Sequence, residues 1–310
     1  MKHRIDPTVD CVFKALLGSE ENKNLLIHFL NAVLAPPPAR RITSVTLLNP
    51  YSDKDFLSDK LSVVDVLAMS ETQVRYQIEI QLTVYRGLPE RMLYNWCDLV
   101  SSQLREGEGY ETLRPVHSIW LMGAILWKER DAFHSCFELW ERENGWELCQ
   151  GGGIHVLEML KWNRKEVETE LDRWVRFFKE GKELDDEALP EYMNTPEMRQ
   201  AMETLRRFSE KERAYHVYRK RLDYLRQQRS MASNLEEERK AKEAAQRRAR
   251  EQERRAREQE RRAREQERRA EEERQEKEAA LRRAAEERRE KERLLALLKE
   301  RGIDPGALED

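Results

Sequence analysis

The stretch VRYQIEIQL, residues 74–82, decides the fold, because it alternates almost perfectly: Val74, Tyr76, Ile78, Ile80 and Leu82 fall on one face and Arg75, Gln77, Glu79 and Gln81 on the other. Period-two alternation is the mark of a β-strand. Residues 61–69, LSVVDVLAM, read as a second strand carrying Asp65, and Ser70, Glu71, Thr72 and Gln73 supply a short polar turn between the two. The pair is therefore expected to form an antiparallel hairpin, with Asp65 close to Glu79.

Two carboxylates at short range repel unless a cation sits between them, and an all-oxygen ligand set suits Mg2+ or Mn2+. One reading is thus a metal-dependent hydrolase. The other places Glu79 on a solvated sheet face and Asp65 in a local turn network. The pattern alone leaves both open.

Several separated blocks carry a family resemblance: DPTVDCVFKALLG (residues 6–18) followed by LLIHFLNAVL, then VVDVLAM, IEIQL, RMLYNWCDLVSSQLREGEGYETLRPVHSIWLM, IHVLEMLKW and ELDRWVRFFK. In order and spacing the first 225 or so residues resemble the Rpn family of recombination-promoting nucleases and transposases, a branch of the PD-(D/E)xK nuclease superfamily. The resemblance implies an α/β fold, a restriction-endonuclease-like core with a helical subdomain. It implies phosphodiester hydrolysis on DNA, linked to recombination or mobile elements, with Mg2+ (or Mn2+) held by Asp65, Glu79 and the Ile80 carbonyl. Gln81 stands where the superfamily has Lys. An amide has no useful pKa, so Gln81 can orient a water and cannot deprotonate it. That substitution also suits an alternative, a catalytically inactive nuclease-fold DNA-binding or scaffold protein. The resemblance further implies a bacterial, cytoplasmic protein. Arg91, Gln103 and Tyr110 match recurrent family positions, as active-site or bracing residues.

Asp10 is a candidate first-helix acid. Asp6 and Pro7 suit a helix start, and Val9, Val12, Phe13, Leu16 and Leu17 make a buried stripe with Asp10 at its edge. Asp10 has two readings, a lean toward the metal or a favourable charge at the helix dipole, and Lys14 is a weaker candidate on the same helix.

Composition changes sharply near residue 230, dividing the chain into a nuclease-like domain with a helical extension (1–230), a long charged helix (231–301) and a short end (302–310). The heptapeptide AREQERR recurs at Ala249, Ala256 and Ala263. A stable coiled-coil seam needs apolar residues at both core positions, and each repeat offers only Ala. Glu251 with Arg255, Glu253 with Arg257, Glu258 with Arg262 and Glu260 with Arg264 are spaced four apart instead. Such pairs each add about 0.2 to 0.5 kcal/mol to a helix, so a single helix from Leu235 to Lys299, about 100 Å long, is expected. With 24 basic and 20 acidic residues between Leu235 and Arg301, the tail carries about +4, leaving about −7 of the total −3 for the rest. A mixed helix is a spacer or a homo-oligomerisation element rather than a DNA clamp. Leu294, Leu295, Leu297 and Leu298, ended by Gly302 and Pro305, suggest an amphipathic end.

Basic residues that can form a DNA-facing patch are Arg40 with Arg41, Arg86 with Arg91, and residues 206–229; Tyr215, Tyr218, Leu222 and Leu225 make this last stretch read first as a bundle helix. The remaining elements are a helix over residues 21–34 stopped by Pro36, Pro37 and Pro38, and a first strand from Ile42 to Leu48. A helix from Pro89 to Arg105 follows, with Met92, Leu93, Trp96, Leu99 and Val100 inward, and then a buried strand from Val116 to Leu126. Phe133–Trp140 and Trp146–Cys149 read as a hairpin around Asn144 and Gly145, and His155–Leu160 as a strand. Gly151, Gly152 and Gly153 lack the following Gly-Lys-Ser or Gly-Lys-Thr of a phosphate loop and read as a flexible connection. Trp174, Phe177 and Phe178 read as core anchors. Cys11, Cys97, Cys136 and Cys149 contain no CxxC, and the spacing of His134, Cys136, Cys149 and His155 matches no standard zinc site. Free thiols are expected. The N-terminus lacks a signal-peptide core, and no run approaches the about 20 apolar residues of a membrane span.

Overall fold

A computed structural model describes residues 1–49 and 65–300. The start of the Asp65 strand, residues 61–64, and the C-terminal end, 302–310, lie outside the described residues. The chain divides into two compact units, 1–230 and 231–310.

The first unit is built on a six-stranded sheet in the order β1-β2-β3-β4-β6-β5: β1 Val45–Leu47, β2 Val66–Ser70, β3 Arg75–Gln81, β4 Val116–Met122, β5 His134–Phe137 and β6 Gly152–Glu158. β2 and β3 form the expected antiparallel hairpin, while β3–β4 and β4–β6 are parallel. Gln73 takes a left-handed φ of 64° in the hairpin turn.

Both faces of the sheet are covered, which explains why β4 reads as largely apolar sequence. On one face Ile78, Ile119, Leu121 and Leu157 pack with helices α1 (Asp10–Leu17), α2 (Lys23–Leu34), α4 (Glu170–Glu180) and α5 (Pro196–Glu210). Val12, Phe13, Leu16 and Leu17 of α1 are fully buried, each worth about 1.5 to 3 kcal/mol of transfer free energy. Trp174, Phe177 and Phe178 are core residues, with Trp174 stacked on Phe178 and edge-on to Phe29 and Phe177. On the other face Trp120, Met122 and Val156 pack with Leu88 and Met92 of α3 (Leu88–Ser101). The inward stripe of α3 is Leu88, Met92 and Asn95, and the half-buried Trp96 donates to the Val116 carbonyl at 2.9 Å; Leu93 points outward at 53% exposure.

The triple glycine is not a flexible connection. Gly152 and Gly153 open β6, three residues before the expected start, and Gly152 adopts φ +80° with its pro-Cβ position 2.2 Å from the Val116 carbonyl oxygen. The backbones approach too closely there for any side chain. Trp146–Cys149 likewise forms no full strand: β5 pairs with β6, and the outer hairpin is held by a single bridge, Trp140 with Glu147.

Lys211 interrupts the helix expected across 206–229, separating α5 from α6, Glu212–Glu300. α6 thus begins before the expected tail helix, because Tyr218, with Tyr215, Leu222 and Leu225 beside it, packs into the core of the first unit. In the second unit the four expected Glu–Arg pairs form at 2.6 to 2.8 Å. Among the described residues no helix is long and apolar enough to cross a membrane.

Candidate active site

Asp65 stands immediately before β2, and the register Val66 opposite Ile78 sets it opposite Glu79. Its Oδ2 accepts from the Ile80 N–H at 3.0 Å, and its Oδ1 lies 3.3 Å from the Lys14 ammonium. Lys14, the weak candidate of α1, is therefore the cation beside the first acid. Sequence distance hid this, since the contact joins α1 to the start of β2.

Glu79 does not lie on a solvated face. It is 4% exposed, and on the same face of the sheet α3 covers its neighbour Trp120. A buried chain of donors ends on it: the Trp120 indole N–H donates to Ser118 Oγ at 2.9 Å, Ser118 Oγ donates to Gln77 Oε1 at 3.0 Å, and Gln77 Nε2 donates to Glu79 Oε1 at 3.3 Å. Such a chain fixes the orientation of each member. The signal for these two is visible in the sequence: Gln77 shares the polar face of its strand with Glu79, and Ser118 is a polar residue in a largely apolar strand.

Burial, then the charge of Asp65, pushes the Glu79 carboxyl up to about 8, against the pull of Arg91, the Gln77 amide and Lys14. Two oxygen acids whose joint ionisation is held back in this way are a donor set suited to a hard divalent cation. Asp65, Glu79 and the Ile80 carbonyl would hold it.

A cleft of about 360 Å³ opens beside these residues, lined by Asp10, Ile80, Gln81, Arg91, Arg221 and Tyr224 among others. Gln81 Nε2 donates to the Thr83 carbonyl at 2.8 Å and lies 3.3 Å from its hydroxyl. Arg91 donates to the Tyr85 hydroxyl at 3.0 Å, with its guanidinium 5.5 Å from the Trp120 ring centroid. Asp10 reaches the cleft, but its Oδ2 is paired with Arg221 at 2.8 Å. Among the described residues no group of three or more His, Cys, Asp or Glu side chains is set to hold a metal ion.

Gln103 and Tyr110 lie elsewhere. Gln103 makes a two-way bond with the Arg114 backbone, at 2.9 and 3.0 Å, near the Arg75 end of β3, opposite to Gln81. Tyr110 is 82% exposed. The histidine and cysteine grouping dismissed on spacing is partly gathered: His155 lies 3.2 Å from both His117 and His134, and 3.8 Å from Cys136 Sγ. Burial first, then the other two imidazoles, pushes His155 down to about 3, so this row packs as neutral rings.

No curated protein and no solved structure matches the chain. A family model described as PD-(D/E)XK nuclease family transposase matches residues 7–234. With a mixed α/β core, an acid pair on its central hairpin and a match over most of its length, the chain belongs to the PD-(D/E)XK nuclease family transposases.

Proposed function

We propose that this protein is a divalent-metal-dependent DNA endonuclease, acting in recombination or on mobile DNA. The observation that carries the reading is the acid pair itself: Glu79 is buried opposite Asp65, its ionisation held back, and the residues that follow it, Ile80 and Gln81, line a cleft that also holds Arg91 and Arg221. A bound Mg2+ or Mn2+ would polarise a water and offset charge on the phosphate. Water oxygen would then bond to phosphorus as the bond to the leaving oxygen breaks. Within the chain, Asp65 and Glu79 provide the anionic ligands, Lys14 steadies Asp65, and Arg91 offers charge to the phosphate. Gln81 orients water and takes no proton.

A second reading is favoured by the Gln81 amide, which is spent on Thr83: a nuclease-fold DNA-binding or scaffold protein without catalysis. Cleavage of supercoiled plasmid at low salt, in Mg2+ and in Mn2+, separates the two. Wild type is expected to cut while Asp65→Ala and Glu79→Ala do not. Equal cutting by all three, or none by wild type, moves the second reading ahead.

The charged part of α6 is proposed as a spacer, since its exposed surface is lined by self-satisfied ion pairs. A chain ending at Ser230 is then expected to keep the same number of chains per particle as the full chain in light scattering; a smaller number would make the tail the oligomerisation element.

A further inference from the structure

We infer that Arg221 is a phosphate-binding residue whose resting partner is Asp10, so that substrate binding frees Asp10 to join Asp65 and Glu79 at the metal. The inference rests on the nuclease reading above and adds to it a residue of α6 and an order of events.

The spacing of Arg221, Tyr224, Leu225 and Gln228, one helical turn apart, sets all four on one side of α6, and all four line the cleft opposite Ile80, Gln81 and Arg91. The Arg221 guanidinium lies 5.1 Å from the Tyr224 ring centroid, which presents it at the cleft rather than in the core. Its side chain is 44% exposed and that of Asp10 26%. A pair this open is weak, so a phosphate can compete for the guanidinium, which binds phosphate in two-pronged fashion.

The two oxygens of Asp10 are held differently. Oδ1 accepts from the Cys11 N–H at 2.8 Å within its own helix, whereas Oδ2 is paired with Arg221. Departure of the guanidinium therefore releases one oxygen, in the cleft lined by Ile80 and Gln81, without unwinding α1. Asp10 stands one helical turn before Lys14, whose ammonium lies 3.3 Å from Asp65 Oδ1, so α1 carries Asp10 on the side of the acid pair. Freed Asp10 adds a negative charge near the acid pair, so metal and substrate each favour the other's binding, a reciprocal coupling.

The test uses the full chain, Mn2+ alone followed by electron paramagnetic resonance, and a short fluorescein-labelled DNA duplex in EDTA followed by anisotropy. Arg221→Gln is expected to weaken duplex binding about three- to tenfold and to lower the salt slope by about one. It is also expected to tighten Mn2+ binding without DNA several-fold, and adding Asp10→Asn should erase that gain. Arg221→Lys, which keeps the charge but not the two-pronged contact, should lose less duplex affinity than Arg221→Gln, guarding against a simple folding defect. Unchanged duplex and Mn2+ affinities in Arg221→Gln, or a gain that survives Asp10→Asn, would overturn the inference while leaving the nuclease reading intact. Mn2+ binding in wild type that ignores Asp65→Ala would overturn both.

Discussion

Glu79→Gln is expected to abolish Mn2+ binding at the acid pair and, in the metal-free protein at alkaline pH, to raise stability. The carboxyl of Glu79 is pushed up to about 8 by burial and by Asp65, above its ordinary range near 4.5. The sign follows from linkage: a group held protonated in the folded chain contributes stability that is complete below its unfolded pKa and is lost as pH rises through the folded one. Wild type in EDTA should therefore lose stability between about pH 4.5 and 8, by an amount on the order of a few kcal/mol, and the glutamine variant should lose less. Near pH 5 the two should unfold alike. At pH 8.5, Mn2+ at a hundred times its dissociation constant should return about 2.7 kcal/mol to wild type and nothing to the variant. Thermal unfolding across pH, with and without Mn2+, reads all of this. Superimposable pH profiles for the two proteins would mean that Glu79 ionises freely and that the acid pair exerts no such strain.

Glu158→Ala should be among the most damaging single substitutions for stability. Glu158 ends β6, in the rank that runs Gln81, Met122, Glu158 across the parallel strands. Its Oε1 accepts from the backbone N–H groups of Leu126 and Trp127 at 2.6 and 3.1 Å, and its Oε2 is paired with Lys161 at 2.6 Å, both side chains being almost wholly buried. Lys161 also donates to the Trp127 carbonyl at 2.7 Å. Truncation leaves a buried ammonium without its counter-charge and two N–H groups without their acceptor, a loss of about 3 to 5 kcal/mol. Removing both partners, as Glu158→Gln with Lys161→Met, should cost less than Glu158→Ala alone, because no buried charge is stranded. Urea unfolding of the three proteins measures the difference. A loss under about 1 kcal/mol for Glu158→Ala would show that water replaces the pair.

The β2–β3 hairpin was legible because alternation and a polar turn are local signals, and they brought Asp65 to Glu79 without any knowledge of the rest of the chain. The buried stripe of α1 and the tail's ion pairs were legible for the same reason. Local pattern misjudged Leu93, Gly152 and Gly153. What fixes those positions is which side of α3 meets the sheet and how closely β6 approaches β4, and neither is encoded in a residue's near neighbours. The same limit hid the roles of Gln77 and Ser118, whose polar atoms gain meaning only when β4 lies beside β3. It also hid Lys14 at Asp65 and Arg221 at Asp10.

The sequence by itself determined the acid pair, the family, the apolar stripes and a helix stabilised by its own charges, since each depends on residues within a few positions or on block order. Only the tertiary structure decided that Glu79 is buried, that its ionisation is thereby held back, and that the start of α6 closes the cleft over Asp10. Those properties arise from desolvation and from charges brought together across the fold, and chain spacing does not report either.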